Sequence, residues 1–261
     1  MEMKGIKINI SDYPNELEYL LKNSKIYDSS CSKEAKVIFS DKDSGYFIKK
    51  AKKGQLEKEY LMTNYYNSLG LSAPVLHYIS NENDFMVTEK IEGNDGIYYK
   101  YLEEPEKLCD LFAERLAILH SITPKDCPIT NHTKNYLDLA YSNYTTGNYD
   151  KSQFPDSFGY KNEIDAINII NQNKHLLQAD TLLHGDYCLP NIIFDNWKFS
   201  GFIDLGDGGI GDKHVDIFWG IWTFFYNLKT FKYSKRFMDA YGKDKINTDI
   251  LKLIAAIAVF G

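Results

Sequence analysis

Arginine, paired cysteines and long apolar segments are scarce or missing in this 261-residue sequence. Arg115 and Arg236 are the only arginines. In all, 30 Lys and Arg side chains stand against 36 Asp and Glu, which gives a net charge of −6 and a pI near 5.6. An acidic chain disfavours a broad surface for a polyanion and suits a cationic partner better, so no nucleic-acid partner is expected.

The four cysteines are scattered without a CxxC spacing, which argues against a zinc site or a disulfide framework and favours reduced thiols. The N-terminus lacks the apolar stretch of a secretory signal. The longest apolar run, residues 253–261, is far shorter than the roughly 18 residues that span a bilayer. We therefore expect a cytoplasmic protein that does not contact a membrane. The sequence leaves its oligomeric state open.

Hydrophobic residues make up 44% of the chain and aromatic residues 15%, enough to build a large core over one big domain or two unequal lobes. Residues 1–91 contain short β-rich runs and one strong helical pattern at 55–69. Residues 92–96, EGNDG, are polar and glycine-rich, as in a linker. Residues 97–261 are rich in helical patterns. The expected class is α+β, with a five-stranded, mainly antiparallel sheet plus a helix in the first lobe and a mainly helical second lobe.

Two short motifs carry the chemistry, HGDYCLPN at 184–191 and GFIDLG at 201–206. Transfer of a γ-phosphoryl group needs a carboxylate to accept the proton of the attacking hydroxyl, and oxygen ligands for Mg²⁺. Asp186 can supply the first function, and Asn191 and Asp204 the second. Each motif alone is equally compatible with an ordinary turn, but the two in this order favour phosphoryl transfer. A hydrolase is disfavoured because no serine elbow accompanies His184.

With these motifs the sequence resembles the aminoglycoside 3′-phosphotransferases, also called kanamycin kinases, which have a protein-kinase-like fold. The resemblance implies transfer of the γ-phosphoryl of ATP or GTP to the 3′-hydroxyl of an aminoglycoside, with Mg²⁺ as cofactor and the nucleotide in the cleft between two lobes. It further implies that His184 supports the catalytic loop and that Asp216 tethers it. The three parts of the chain are then a nucleotide-binding lobe, a hinge, and a catalytic and substrate-binding lobe.

The same resemblance assigns the nucleotide-binding residues. Lys49 would contact the α- and β-phosphates and Glu59 would orient Lys49. The ten-residue spacing favours Lys49 over Lys50, although a one-residue slip of the strand would exchange them. The loop over the phosphates is serine-rich and has no GxGxxG, and the backbone at the hinge would bind adenine. The residues expected in these two places are Ser30 and Ser32, and Glu89 and Ile91.

For the acceptor, carboxylates are expected to bind the ammonium groups of an aminoglycoside. The family takes such carboxylates from the loop before the catalytic strand and from the C-terminal end of the chain. The candidates here are Asp150, Asp156 and Glu163, with the terminal carboxylate of Gly261 replacing the family's acidic side chains.

Two other functions are compatible with the sequence. The chain could phosphorylate another small hydroxyl compound, such as a macrolide or choline, since the aromatic helix around Trp222 is unusual for a pocket that binds a polycation. It could also be a non-catalytic nucleotide-binding relative, although such a protein has no need for Asp186. A protein kinase is disfavoured because no APE-like segment follows Asp204.

Overall fold

The chain divides into two units in the computed structural model, which describes residues 4–31, 35–149 and 160–261. The first unit comprises Met1–Tyr98 and Ile192–Gly206, and the second comprises Tyr99–Asn191 and Asp207–Gly261.

Six strands form an antiparallel sheet in the first unit, one more than the five predicted. The additional strand, Lys4–Ile6, pairs with Ile26–Asp28 at one edge. It is too short to give a recognisable alternation in the sequence. The six strands are β1 (Lys4–Ile6), β2 (Ile26–Asp28), β3 (Ala35–Ser40), β4 (Tyr46–Lys52), β5 (Val75–Ser80) and β6 (Asn83–Glu89). They lie in the order β1-β2-β3-β4-β6-β5.

The two faces of β4 pack against different parts of the first unit. Ile48 pairs with Ile38 and Val87, and all three are fully buried in a core shared with the first helical segment of the chain. Ala51 is buried on the other face, in a second cluster with Leu56. Because side chains alternate along a strand, Lys49 lies on the same face as Ala51.

Two helices accompany the sheet. The first begins with a 3₁₀ turn, Asn15–Leu17, which is followed by α1, Glu18–Leu21. Helix α2, Glu57–Ser68, lies within the predicted range of 55–69. Its first turn carries Glu59, which is buried.

A small three-stranded sheet joins the segment after the catalytic loop to the first unit. β7 (Asn94–Asp95) pairs with β9 (Ile192–Asp195), which forms a two-residue hairpin with β10 (Lys198–Phe202). The hairpin turn has positive φ at Asn196 (47°) and Trp197 (67°), as a type I′ turn requires. This pairing groups the hairpin with the N-terminal unit, whereas the sequence places it within residues 97–261.

The second unit is mainly helical, with a two-stranded ladder of β8 (Thr181–Leu183) and β11 (Gly209–Gly211). This agrees with the helical patterns expected over residues 97–261. The helices are α3 (Tyr99–Leu102), α4 (Pro105–His120), α5 (His132–Thr146), α6 (Glu163–Asn173), α7 (His214–Leu228), α8 (Ser234–Tyr241) and α9 (Thr248–Ala258).

Aromatic packing fills the interior of the second unit. The ring of Phe112 on α4 lies 4.5 Å from that of Tyr187 and 5.6 Å from that of Phe224, and all three are essentially inaccessible to solvent. The hydroxyl of Tyr187 donates to the carbonyl oxygen of Phe112 at 2.8 Å. The catalytic-loop segment is thereby fixed to α4. No helix in the described part of the chain is both long enough and apolar enough to cross a membrane.

The close approach of Gly93 to the hairpin gives a test of this packing. Gly93 has φ = 118°, and a Cβ there would lie 2.2 Å from the carbonyl oxygen of Phe194, so we expect Gly93→Ala to lower the free energy of unfolding by more than about 2 kcal/mol. Gly54 also has positive φ (83°) but has open space around its Cβ position. Gly54→Ala should therefore lower the free energy of unfolding by only about 1 kcal/mol. Urea denaturation of both variants measures the difference, and equal losses would contradict the close approach.

Candidate active site

In the first unit, Lys49 lies between two carboxylates. Its Nζ is 2.7 Å from Glu59 Oε2 and 2.6 Å from Asp204 Oδ1. Lys49 extends from the α2-facing side of β4, Glu59 from the first turn of α2, and Asp204 from the segment just after β10. Three separate elements therefore bring one ammonium and two carboxylates together. Among them are Lys49, predicted to bind the phosphates, and Glu59, predicted to orient Lys49.

Burial and charge act on Lys49 in opposite directions. The side chain is only 19% exposed, and loss of water by itself lowers the pKa of an amine. The carboxylates of Glu59 and Asp204 outweigh this effect, and the pKa of Lys49 is raised above its ordinary value. Lys49 is therefore a permanent cation at neutral pH, suited to binding an anion and unsuited to acting as a base.

Lys50 points to the other face of β4. Its Nζ donates to the carbonyl oxygen of Asp12 at 3.2 Å and lies 5.2 Å from the centre of the Phe85 ring. The strand register therefore agrees with the preference for Lys49 as the partner of Glu59.

Asp204 has φ = 57°, a left-handed conformation that is uncommon outside glycine, and its side chain remains 52% exposed.

In the second unit, Asp186 and Asn191 close a tight loop. The Asn191 amide nitrogen donates to Asp186 Oδ2 at 2.8 Å and to the Asp186 carbonyl oxygen at 3.0 Å. The backbone N–H of Cys188 donates to the same carbonyl oxygen at 2.8 Å. Asp186 is partly exposed, whereas Asn191 is buried. A partly exposed carboxylate with one oxygen fixed by an amide is oriented and still accessible to a reactant.

Asp216 holds this loop by its backbone, which confirms the expected tether. The buried carboxylate accepts hydrogen bonds from the N–H groups of His184 and Gly185, both at 2.8 Å. Burial alone raises the pKa of Asp216, but the hydrogen bond and charge interaction with His120, the charge of His184 and the Gly185 N–H lower it below its ordinary value. Asp216 therefore remains ionised in the interior.

His120 and Tyr241 complete this network and were not identified from the sequence. His120 Nε2 lies 3.1 Å from Asp216 Oδ2, and its Nδ1 lies 2.9 Å from the Tyr241 hydroxyl. A signal for His120 exists, because it follows Phe112 and Leu116 at four-residue spacing on the apolar stripe of α4. A histidine in such a stripe indicates a buried polar partner.

The other predicted nucleotide-binding residues lie in the first unit, apart from Ser32, which is outside the described residues. The hydroxyl of Ser30 donates to the carbonyl oxygen of Val37 at 3.2 Å and accepts from its N–H at 3.0 Å. Glu89 ends β6, paired with Tyr46. Ile91 packs closely on Gly201, since a Cβ on Gly201 would lie 2.7 Å from Cδ1 of Ile91.

The predicted acceptor-binding residues are only partly described. Asp150 and Asp156 lie outside the described residues. Glu163 is in the first turn of α6, which is capped by the side chain of Asn162. Gly261 follows α9, and a Cβ there would lie 3.6 Å from the ring of Tyr136. Their contact with an acceptor stays a prediction.

Comparison with known proteins identifies the family. Residues 32–253 match APH, the phosphotransferase enzyme family. The chain belongs to this phosphotransferase family. It is 45% identical over 260 residues to a probable aminoglycoside 3′-phosphotransferase of Lactococcus lactis subsp. lactis (strain IL1403), with 99% of each chain covered. The family resemblance found in the sequence is thus confirmed.

Solved structures of phosphotransferases share the fold. An aminoglycoside-3′-phosphotransferase of type VIII superposes with a TM-score of 0.75 at 18% identity and 96% coverage of both chains. The aminoglycoside phosphotransferase APH(3″)-Id of Streptomyces rimosus ATCC10970, in complex with ADP and streptomycin, gives a TM-score of 0.71 at 19% identity, covering 86% of this chain and 90% of that chain. The predicted α+β, kinase-like fold class is confirmed.

The lowered pKa of Asp216 gives a pH-dependent test of the loop tether. An asparagine at 216 cannot accept equally from two N–H groups and His120, so we expect Asp216→Asn to cost about 3–5 kcal/mol of stability at pH 7. A carboxyl with a depressed pKa contributes stability above its unfolded pKa, near 3.9, and loses it as the pH falls through the folded pKa. The difference in free energy of unfolding between wild type and Asp216→Asn should therefore be constant above about pH 5 and shrink on further acidification.

Denaturant midpoints measured at several pH values between 7 and 3 check this expectation. The control is Asp244→Asn, which alters an exposed carboxylate and should follow the wild-type curve throughout. If the denaturant midpoints of wild type and Asp216→Asn differ by a constant amount down to pH 3, the role of Asp216 as an ionised tether is contradicted.

Proposed function

We propose that this protein transfers the γ-phosphoryl group of a nucleoside triphosphate to the 3′-hydroxyl of an aminoglycoside. The observation that carries the proposal is the Asp186 carboxylate, oriented by Asn191 and anchored through the backbone to Asp216. The full-length relative with 45% identity is named a probable aminoglycoside 3′-phosphotransferase, which supports this choice of acceptor. The other small hydroxyl compounds and the non-catalytic alternative stay secondary.

Asp186 acts as the base in this reaction. The acceptor hydroxyl oxygen attacks the γ-phosphorus, its proton passes to the Asp186 carboxylate, and the bond from the γ-phosphorus to the β,γ-bridging oxygen breaks. The products are the phosphorylated acceptor and a nucleoside diphosphate. Fixing Asp186 in advance is useful because misplacement of a reacting group by about 1 Å costs roughly a hundredfold in rate.

Lys49 binds the donor phosphates. Its raised pKa keeps it charged, and Glu59 holds it on the α2-facing side of the sheet. The nucleotide is ATP or GTP; the ADP bound to the related APH(3″)-Id supports an adenine nucleotide. Ser30 and Ser32 cover the phosphates in this proposal, and the backbone at Glu89 and Ile91 binds the base of the nucleotide.

The residues proposed for Mg²⁺ fit the ion by their chemistry. Asn191 directs its amide nitrogen to Asp186, so its amide oxygen would be the ligand atom, and Asp204 has a second carboxylate oxygen besides the one at Lys49. Hard oxygen ligands of this kind, supplemented by phosphate oxygens, are what Mg²⁺ prefers. The described residues contain no group of three or more His, Cys, Asp and Glu with metal-binding geometry. When bound, Mg²⁺ neutralises charge that develops on the phosphates.

For the acceptor, we propose that the ammonium groups of the aminoglycoside are bound by the carboxylates of Asp150, Asp156, Glu163 and Gly261. The net charge of −6 favours a polycationic partner. The streptomycin bound to APH(3″)-Id supports this substrate class. Since the nucleotide donor is a cytoplasmic metabolite, the proposal places the reaction in the cytoplasm.

A second acceptor class is a macrolide or another less charged alcohol, and one observation favours it. On α7, Trp222 stacks on Tyr226 with ring centres 4.7 Å apart, and Tyr226 is 54% exposed. An exposed aromatic ring can pack on an apolar ring of an acceptor.

The proposed function is tested by nucleotide consumption with a panel of acceptors: kanamycin, neomycin, erythromycin and choline. We expect turnover with the two aminoglycosides. Asp186→Ala should abolish it because no other described group holds the position of the base. Nucleotide binding by that variant, measured by calorimetry, should remain largely intact.

Three results would contradict these roles. Turnover with erythromycin or choline alone would favour the second acceptor class. Nucleotide binding without turnover of any acceptor would favour the non-catalytic alternative. Wild-type turnover by Asp186→Ala would remove this residue as the base.

The role of Lys49 is tested against its neighbour on the same strand. Lys49→Ala removes the cation paired with Glu59 and should lower kcat/KM by roughly a hundredfold or more, as loss of one group that stabilises the transferring phosphoryl does. Lys50→Ala removes an equal charge from the opposite face of β4 and should retain most of the turnover. Steady-state kinetics at varied nucleotide concentration measure both. Equal losses in the two variants would contradict the assignment.

A further inference from the structure

Asp207 lies directly against the loop that carries Asp186. β11 pairs with β8, with Gly209 opposite Leu183, and Asp207 ends a 3₁₀ turn, Leu205–Asp207, just before β11. A Cβ on Gly185 would lie 2.0 Å from the carbonyl oxygen of Asp207 and 2.9 Å from its Cβ. Glycine is therefore required at this contact, and Asp207 is fixed beside the residue that precedes the proposed base.

The side chain of Asp207 is exposed and has no ion pair or hydrogen bond with any described residue. Most carboxylates near the proposed site are already engaged, Asp216 with two N–H groups and Asp204 with Lys49. Asp207 thus combines a fixed backbone position with a full charge that no described cation neutralises. An ammonium group is the natural partner of such a carboxylate.

We propose that Asp207 binds an ammonium group of the acceptor, on the carbon next to the hydroxyl that is phosphorylated. The proposal rests on the proposed function. Asp186 must contact the reacting 3′-hydroxyl, and Cα atoms of adjacent residues are only about 3.8 Å apart. A carboxylate held against Gly185 is therefore placed to contact a substituent on a neighbouring ring carbon, such as a 2′-amine.

Two kanamycins separate this charge-specific role from a structural one. Kanamycin B carries an amine at carbon 2′, and kanamycin A carries a hydroxyl at the same position. Asp207→Asn keeps the size of the side chain and removes its charge. We expect kcat/KM for kanamycin B to fall roughly tenfold to a hundredfold, mainly through KM, and kcat/KM for kanamycin A to fall much less.

A control variant completes the experiment. Asp244→Asn alters an exposed carboxylate in the 3₁₀ turn Lys243–Lys245 and should leave kcat/KM for both kanamycins unaffected. Equal losses for the two kanamycins, or none, with Asp207→Asn would overturn the role of Asp207. No turnover of either kanamycin by the unaltered protein would remove the proposed function and this role with it.

Discussion

The carboxylate of Asp216 is the group on which the geometry of the proposed catalytic loop depends. It is fully buried and accepts the N–H groups of two consecutive residues, His184 and Gly185, which fixes the direction of the backbone just before Asp186. A buried charge is costly unless its hydrogen-bonding capacity is filled, and here His120 supplies the remaining partner. A loop position that lost these N–H groups would leave the buried charge with fewer partners, so the network favours the observed backbone.

In the first unit, a charged lysine is held on one face of the sheet. The alternation of β4 directs Ile48 into one core and Lys49 to the other face, where α2 brings Glu59. The charged pair and the packing around Ile48 therefore lie on opposite faces of β4, although the two residues are adjacent. This arrangement explains why a one-residue change of register would remove both the core contact and the ion pair together.

The sequence predicts those features that depend on local spacing. The five-residue separation of Asp186 and Asn191 is one example, since both lie in a single loop. The partnership of Lys49 with Glu59 came from the family resemblance, and the ten-residue spacing served to prefer Lys49 over Lys50. Helix α5 could not be predicted, because only His132 and Ala140 on it are buried and the apolar pattern is correspondingly weak.

Features that depend on contacts between residues far apart in the sequence could not be predicted either. The hairpin at 192–202 joins the first unit through pairing with β7, a strand of only two residues that gives no pattern. His120, Asp216 and Tyr241 come from three different helices, and their meeting point follows from helix packing. The assignment of Asp216 as a tether came from the family resemblance, whereas its partners came from the structure.

The charges around Lys49 bear on how a triphosphate could bind under the proposed function. One ammonium is shared by the carboxylates of Glu59 and Asp204, so the cluster as a whole is negative. A polyanionic donor approaching this cluster alone would be repelled by more charge than it is attracted to. Under the proposed function, a cation that accompanies the phosphates would offset this excess negative charge.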